Sequence, residues 1–86
     1  MWYTYVIWSL RTNLFYIGFT ADLKKRIFQH QHNQSEYTKN RGPWKLIYYE
    51  AGLSKEDAIA REKYLKSGMG HRYIKNRLKN FILFKL

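Results

Sequence analysis

Two tyrosines, an arginine, a histidine and a glutamate are the residues of this chain whose types and spacing could do chemistry together. Tyr5 and Tyr16 lie eleven positions apart, on two segments rich in aromatic and β-branched residues. Taken alone, two strand tyrosines read as core. If the connection between the strands is even and centred near Leu10-Arg11, the two face each other directly across the ladder. Arg26 and His30 are an i, i+4 pair, so they share one helix face. That face borders the Leu23/Ile27 stripe and is either a solvated edge or the wall of a cleft. Glu62 falls, at 100° per residue, between Ala58 and Ile59 on the apolar side of its helix. A carboxylate there is costly unless something pairs with it. The partner is either a Lys or Arg, or a metal ion.

Other chemistries fit the sequence less well. There is no cysteine, which excludes a thiol nucleophile, a disulfide framework and a thiolate metal site. No Gly-rich phosphate loop of the Walker type occurs. His30 and His32 are two residues apart and do not share a helix face, and His71 is distant, so zinc is weakly supported. Asp22, Glu56 and Asp57 are accounted for by helix starts, leaving Glu36, Glu50 and Glu62. A two-metal centre clusters several carboxylates, so this inventory suits a single metal better.

These residues need elements to hold them. Trp2 to Trp8 predicts a strand, with Tyr3, Tyr5 and Ile7 on one face and Val6 and Trp8 on the other. Both faces are apolar, which predicts cover on both sides. Ser9 to Asn13 reads as a turn, and Leu14 to Phe19 as a second, antiparallel strand. A helix is expected from a Thr20 N-cap, through Leu23 and Ile27, towards Gln31. Gln31 to Arg41 is polar and predicts a loop, punctuated by Gly42-Pro43. Trp44 to Glu50 predicts a third strand. Ser54 opens a second helix, with Asp57 in a variant of the capping box. It runs to about Ser67, where Gly68 supplies the stop. Gly70 to Asn80 predicts a third, basic helix. Phe81-Ile82-Leu83-Phe84 is an apolar tail expected to pack on the domain. The order strand, strand, helix, strand, helix, helix gives an α+β (mixed α/β) class.

At 86 residues the chain suits one domain, 1–86, and 19% aromatic residues give it the means to build a dense small core. Sixteen Lys and Arg against six Asp and Glu give a net charge of +10, which predicts a polyanionic partner. Nucleic acid is favoured over an anionic membrane. The opening residues lack the pattern of a signal peptide, no apolar run is long enough to span a membrane, and a cytoplasmic location is expected.

The residues also match a known pattern. Tyr16-Ile17-Gly18 is an intact second motif of the GIY-YIG nucleases, and Tyr3-Thr4-Tyr5 stands where their first motif does. Arg26 lies ten positions beyond Tyr16, His30 four later, and Glu62 falls in Ala60-Arg61-Glu62-Lys63. Gly42-Pro43-Trp44-Lys45-Leu46 and Arg61-Glu62-Lys63-Tyr64-Leu65-Lys66-Ser67-Gly68 further resemble small stand-alone bacterial members, which are similar to the nuclease domain of the excision-repair endonuclease. Two positions depart from the pattern. The first motif lacks its Gly-Ile start, and Phe19 follows Gly18 where some repair members carry a basic residue.

The resemblance implies a three-stranded antiparallel sheet flanked by helices. It also implies an endonuclease hydrolysing DNA phosphodiester bonds with an activated water and one Mg²⁺ or Mn²⁺, in the setting of DNA repair. RNA is an alternative substrate, and a binding module that no longer cuts is the alternative function. The implied site is Tyr5, Tyr16, Arg26, His30 and Glu62, with Glu62 the metal ligand and Gly18 and Asn76 in support. Lys24, Lys25, Lys39, Arg41, Lys63 and Lys66 are the expected nucleic-acid contacts. A free tyrosine has a pKa of about 10, so a phenolate at pH 7 needs about 4 kcal/mol of preferential stabilisation. Arg26, His30 and the metal are the expected sources.

Overall fold

The computed structural model describes residues 1–85, with side chains through Leu83. The element order is β1 (Trp2–Ser9), β2 (Phe15–Thr20), α1 (Leu23–Gln31), β3 (Trp44–Gly52), α2 (Lys55–Lys66), α3 (Gly68–Arg77) and α4 (Lys79–Lys85). The three strands form one antiparallel sheet in the order β2-β1-β3. The class is α+β, as the sequence predicts.

The central strand explains the layering. Residues 4–9 of β1 are all buried, because both faces are covered. One face carries Val6, which packs with Ile17, Leu65 and Ile74 beneath α2 and α3. The other carries Tyr5 and Ile7, which pack with Trp44, Leu23 and Ile27 beneath α1. The alternation of the strand thus separates two thin cores, and the tyrosines belong to the α1 side.

The register differs from a direct pairing of the two tyrosines. Ile7 lies opposite Tyr16, and Tyr5 lies opposite Gly18. The reason is the turn: Ser9 Oγ accepts from the backbone N–H groups of Arg11 and Thr12, and Asn13 adopts a left-handed φ of 59°. That moves the centre of the hairpin one residue beyond Leu10-Arg11. Tyr5 and Tyr16 remain on one face, as diagonal neighbours rather than partners.

The helix starts also refine the sequence reading. Asp22, not Thr20, caps α1, its side chain accepting from the Lys25 N–H at 3.1 Å. Thr20 ends β2 and braces the turn by accepting from the Asp22 N–H. Ser54 caps α2 as expected. Gly68 is not a left-handed stop, since no glycine has a positive φ among the described residues. Ser67 instead closes α2 and opens α3, donating to the Tyr64 carbonyl and accepting from the Gly70 N–H. A side chain at Gly70 would lie 1.9 Å from the Tyr64 carbonyl oxygen, so glycine there lets the two helices meet without a loop. The apolar tail is helical, and Phe81 packs edge-on against Trp8 at 5.7 Å. The Phe84 side chain lies outside the described residues. No described helix is long and apolar enough to cross a membrane.

Candidate active site

The α1 face of the sheet brings Tyr5, Tyr16 and His30 together. Tyr5 and His30 are each 1% exposed, and the Tyr5 hydroxyl lies 2.7 Å from His30 Nε2. The Tyr16 ring packs against the same imidazole, at 5.1 Å between centroids. Tyr16 is only partly buried, so it is the tyrosine of the pair that meets solvent. Gly18 makes the arrangement fit. It faces Tyr5 across the ladder, and a Cβ there would lie 2.6 Å from the phenol oxygen.

His30 is not the solvated helix edge that its i, i+4 spacing allowed. Its Nδ1 lies 2.7 Å from Thr38 Oγ1, and Thr38 is fully buried. Burial pushes His30 from 6.5 down to about 4, and the nearby Arg26 guanidinium adds to the effect. The imidazole is therefore neutral at pH 7, with one ring nitrogen donating and the other accepting. Burial also pushes the Tyr5 phenol up to about 12. Arg26 opposes that shift, while the charges of Tyr16 and Glu62 add to it. This corrects the expected electrostatics: a neutral His30 gives no positive charge to a phenolate, and Tyr5 is held as a phenol.

Arg26 stands beside this pair, half-buried. It donates to Gln29 Oε1 at 3.0 Å and to Ser35 Oγ at 3.3 Å. Ser35 and Thr38 come from the segment between α1 and β3, which the sequence marks only as a polar loop. The loop is built rather than loose. Asn33 and Asn40 adopt left-handed φ values of 58° and 61°, and the Asn40 N–H donates to Asn33 Oδ1. Trp44 Nε1 donates to the Thr38 carbonyl at 3.0 Å, and Ser9 Oγ donates to the Arg41 carbonyl at 2.6 Å. Sequence reasoning missed Ser35 and Thr38 because hydroxyl residues are ordinary in polar loops and nothing in their spacing marks them as buried.

Glu62 approaches from the other layer. It lies on α2, which packs on β1 and β2, and its charge reaches the Tyr5 phenol. Its side chain is 17% exposed and pairs with Lys66 Nζ at 3.5 Å, so the ion-pair alternative for this residue is realised. Among the described residues, no group of three or more His, Cys, Asp or Glu could cage a metal. A single partly exposed carboxylate does fit a hard, water-rich cation such as Mg²⁺ or Mn²⁺, which commonly takes one or two protein carboxylates plus waters and phosphate oxygens. It does not fit zinc.

The other predicted residues sit outside this cluster. Lys24, Lys25, Lys39 and Arg41 are exposed on α1 and the following loop, and Lys63 and Lys66 are exposed on α2. Asn76 is exposed on α3, where it shares a concavity with Tyr64, Met69, Arg72 and Tyr73 rather than with Tyr5 or Tyr16.

The model of the GIY-YIG catalytic domain matches residues 1–76. The chain belongs to the GIY-YIG family. Similar proteins carry the name UPF0213. One from Limosilactobacillus reuteri is 46% identical over 68 residues, covering 76% of this GIY-YIG chain and 70% of the relative. One from Clostridium perfringens is 39% identical over 65 residues, covering 74% and 69%. One from Streptococcus pneumoniae is 40% identical over 65 residues, covering 74% and 65%. Those names state no activity. No solved structure matches the chain. GIY-YIG domains are nuclease domains, so the Tyr5–His30–Arg26 cluster lies in a nuclease fold.

Proposed function

We propose that this domain is a metal-dependent endonuclease that hydrolyses DNA phosphodiester bonds. The observation that carries the reading is the buried 2.7 Å contact between the Tyr5 hydroxyl and His30 Nε2, with Tyr16 packed on the same ring and Arg26 alongside. A structural pair of this kind needs no neighbouring arginine and no second tyrosine facing solvent. A site that must deprotonate water beside a phosphate needs both.

The roles follow from the chemistry of each group. One Mg²⁺ or Mn²⁺ held by Glu62 supplies charge stabilisation to the phosphate and the leaving oxygen. Arg26, aimed by Ser35 and Gln29, gives charge-assisted hydrogen bonds to the phosphoryl oxygens. The tyrosine pair takes the proton of the attacking water. Tyr5 does not have to become a free phenolate. As it gains a proton at its oxygen, it passes its own to Nε2 of the neutral His30, whose Nδ1–H donates to Thr38. Water thus becomes hydroxide and His30 becomes imidazolium, with the phenol unchanged. Such proton transfer is typically worth about 10²–10⁴-fold in rate.

The test is a nuclease panel of supercoiled, nicked, branched and single-stranded DNA, with RNA included, at several pH values in Mg²⁺ and in Mn²⁺. Cleavage by the wild type, abolished in Glu62→Gln with binding retained, is the expected result. Full activity in Glu62→Gln would remove the metal assignment. A wild type that binds and never cuts under any condition would leave a binding module of the same fold.

A further inference from the structure

After Glu62 the chain contains seven Lys and Arg residues and no Asp or Glu. The structure places this excess on one side of the molecule. Arg72, Lys75, Arg77 and Lys79 are exposed on α3 and at the start of α4, and none has an ion-pair or side-chain hydrogen-bond partner among the described residues. Cations elsewhere are tied down. Arg61 is held by Glu50 at 2.9 Å and stacks between Tyr64 and Tyr73, and Lys66 is held by Glu62. Like charges on one helix repel unless something covers them, so four free cations in eight residues carry a cost with no return inside the fold.

The same face holds an open concavity of about 450 Å³, lined by Tyr64, Met69, Arg72, Tyr73 and Asn76. Tyr64 is 37% and Met69 67% exposed. An aromatic ring, a thioether, an amide and a guanidinium together suit an unpaired base and its phosphate. The outward face of α3 is polar and charged, which does not suit burial in a bilayer.

This face lies across the sheet from the tyrosines of the active site. Ile74 anchors α3 against Val6, whereas Tyr5 packs towards α1. A second set of exposed cations, Lys24 and Lys25, rides on α1. A straight duplex can meet one side of the sheet or the other, not both.

We propose that the outer face of α3 and the start of α4 form a second nucleic-acid contact surface, and that the domain holds two segments of a branched DNA, one on each side of its sheet. The inference rests on nucleic acid as the partner in the proposed function, and not on cleavage. A junction supplies what the two surfaces need: two duplex arms at an angle, and unpaired bases between them.

The experiment is binding in EDTA, so that its outcome is independent of whether the domain cuts. Labelled four-way junction and straight duplex of equal length are titrated from 50 to 200 mM salt with wild type, with Arg72→Ala/Lys75→Ala/Arg77→Ala/Lys79→Ala, and with Lys24→Ala/Lys25→Ala. Wild type should favour the junction. The quadruple variant should lose that preference, and its salt slope on the junction should flatten by about 3–4, near 0.9 for each phosphate no longer neutralised. Its binding to straight duplex should change much less. If the quadruple variant melts early, Lys75→Gln/Lys79→Gln keeps the helix formers and should show about half the change in slope. A junction affinity and slope equal to wild type would overturn the surface. Equal losses on both probes would overturn the two-segment reading. Binding to phosphatidylserine vesicles but to neither DNA would replace nucleic acid with membrane.

Discussion

Gly18 lies directly across the ladder from Tyr5, and a methyl group on it would sit 2.6 Å from the phenol oxygen and 2.8 Å from Cζ. The Tyr5 ring is wedged against His30 and has no free direction in which to yield. Gly18→Ala should therefore displace the phenol from Nε2. Overpacking of this kind costs about 1–3 kcal/mol, which urea midpoints would read. The same variant should lose most of its cleavage of plasmid DNA. Gly18→Ala combined with Tyr5→Phe should be less than additive, because both act on one contact. Full additivity would mean that the glycine serves something other than the tyrosine.

His30 sets a pH dependence with a definite sign. Its pKa is about 4 when folded against 6.5 ordinarily. Between those values the unfolded chain binds a proton that the buried imidazole refuses. Stability is therefore full above about pH 6.5 and drains as pH falls towards about 4, by about 3 kcal/mol in all. Urea titrations across that range should show the loss, and His30→Gln should flatten that part of the curve. The same titration governs the proton acceptor. The acid limb of kcat/KM should fall near pH 4, not near 6.5. A limb at 6.5 would mean that His30 is open to water in the working enzyme.

Much of this site is legible in the sequence, for a physical reason. Strand alternation and helical spacing are properties of local geometry, so they place Tyr5 on one face with Ile7, and Arg26 with His30, whatever the distant parts of the chain do. The buried face of Glu62 and the ends of α2 follow from the same periods. What escaped was set by long-range closure. Gly18 opposite Tyr5, in place of Tyr16, depends on how Ser9 and Asn13 build the turn. The depressed pKa of His30 depends on a lid of Ser35, Thr38 and Trp44 that carries no periodicity. The sequence shows the residues that could titrate, and only their burial decides which way they shift.

Thr38 is the clearest example of a residue visible only in three dimensions. It contacts no substrate position, and it fixes His30 by meeting Nδ1 at 2.7 Å. Thr38→Val keeps the shape and removes the hydroxyl, and leaves the backbone carbonyl that accepts from Trp44. An unpaired buried ring nitrogen costs about 1–3 kcal/mol, and the imidazole is then free to adopt either tautomer. The expected result is a change in the ¹⁵N shifts of His30 and a loss of about 10–100-fold in kcat, well within the span of general-base effects. Thr38→Ser should recover most of both. Unchanged ¹⁵N shifts in Thr38→Val would show that burial alone holds the tautomer.

Lys66 competes with the metal for Glu62. Its ammonium lies 3.5 Å from the carboxylate, 53% exposed, on the solvent side of the pair. A cation binding at Glu62 must displace that ammonium or share the carboxylate with it. Exposed i, i+4 pairs are worth about 0.3–0.5 kcal/mol, so the competition is mild. Lys66→Ala should lower the Mn²⁺ concentration at half-maximal cleavage by about twofold, and melting should barely move. Lys63→Ala is the control, since it removes a neighbouring positive charge of the same helix without touching the pair. If the two variants shift the Mn²⁺ requirement equally, the effect is general electrostatics. If only Lys66→Ala shifts it, Glu62 is the carboxylate that the ion occupies, and Lys66 is the group that holds its place until the ion arrives.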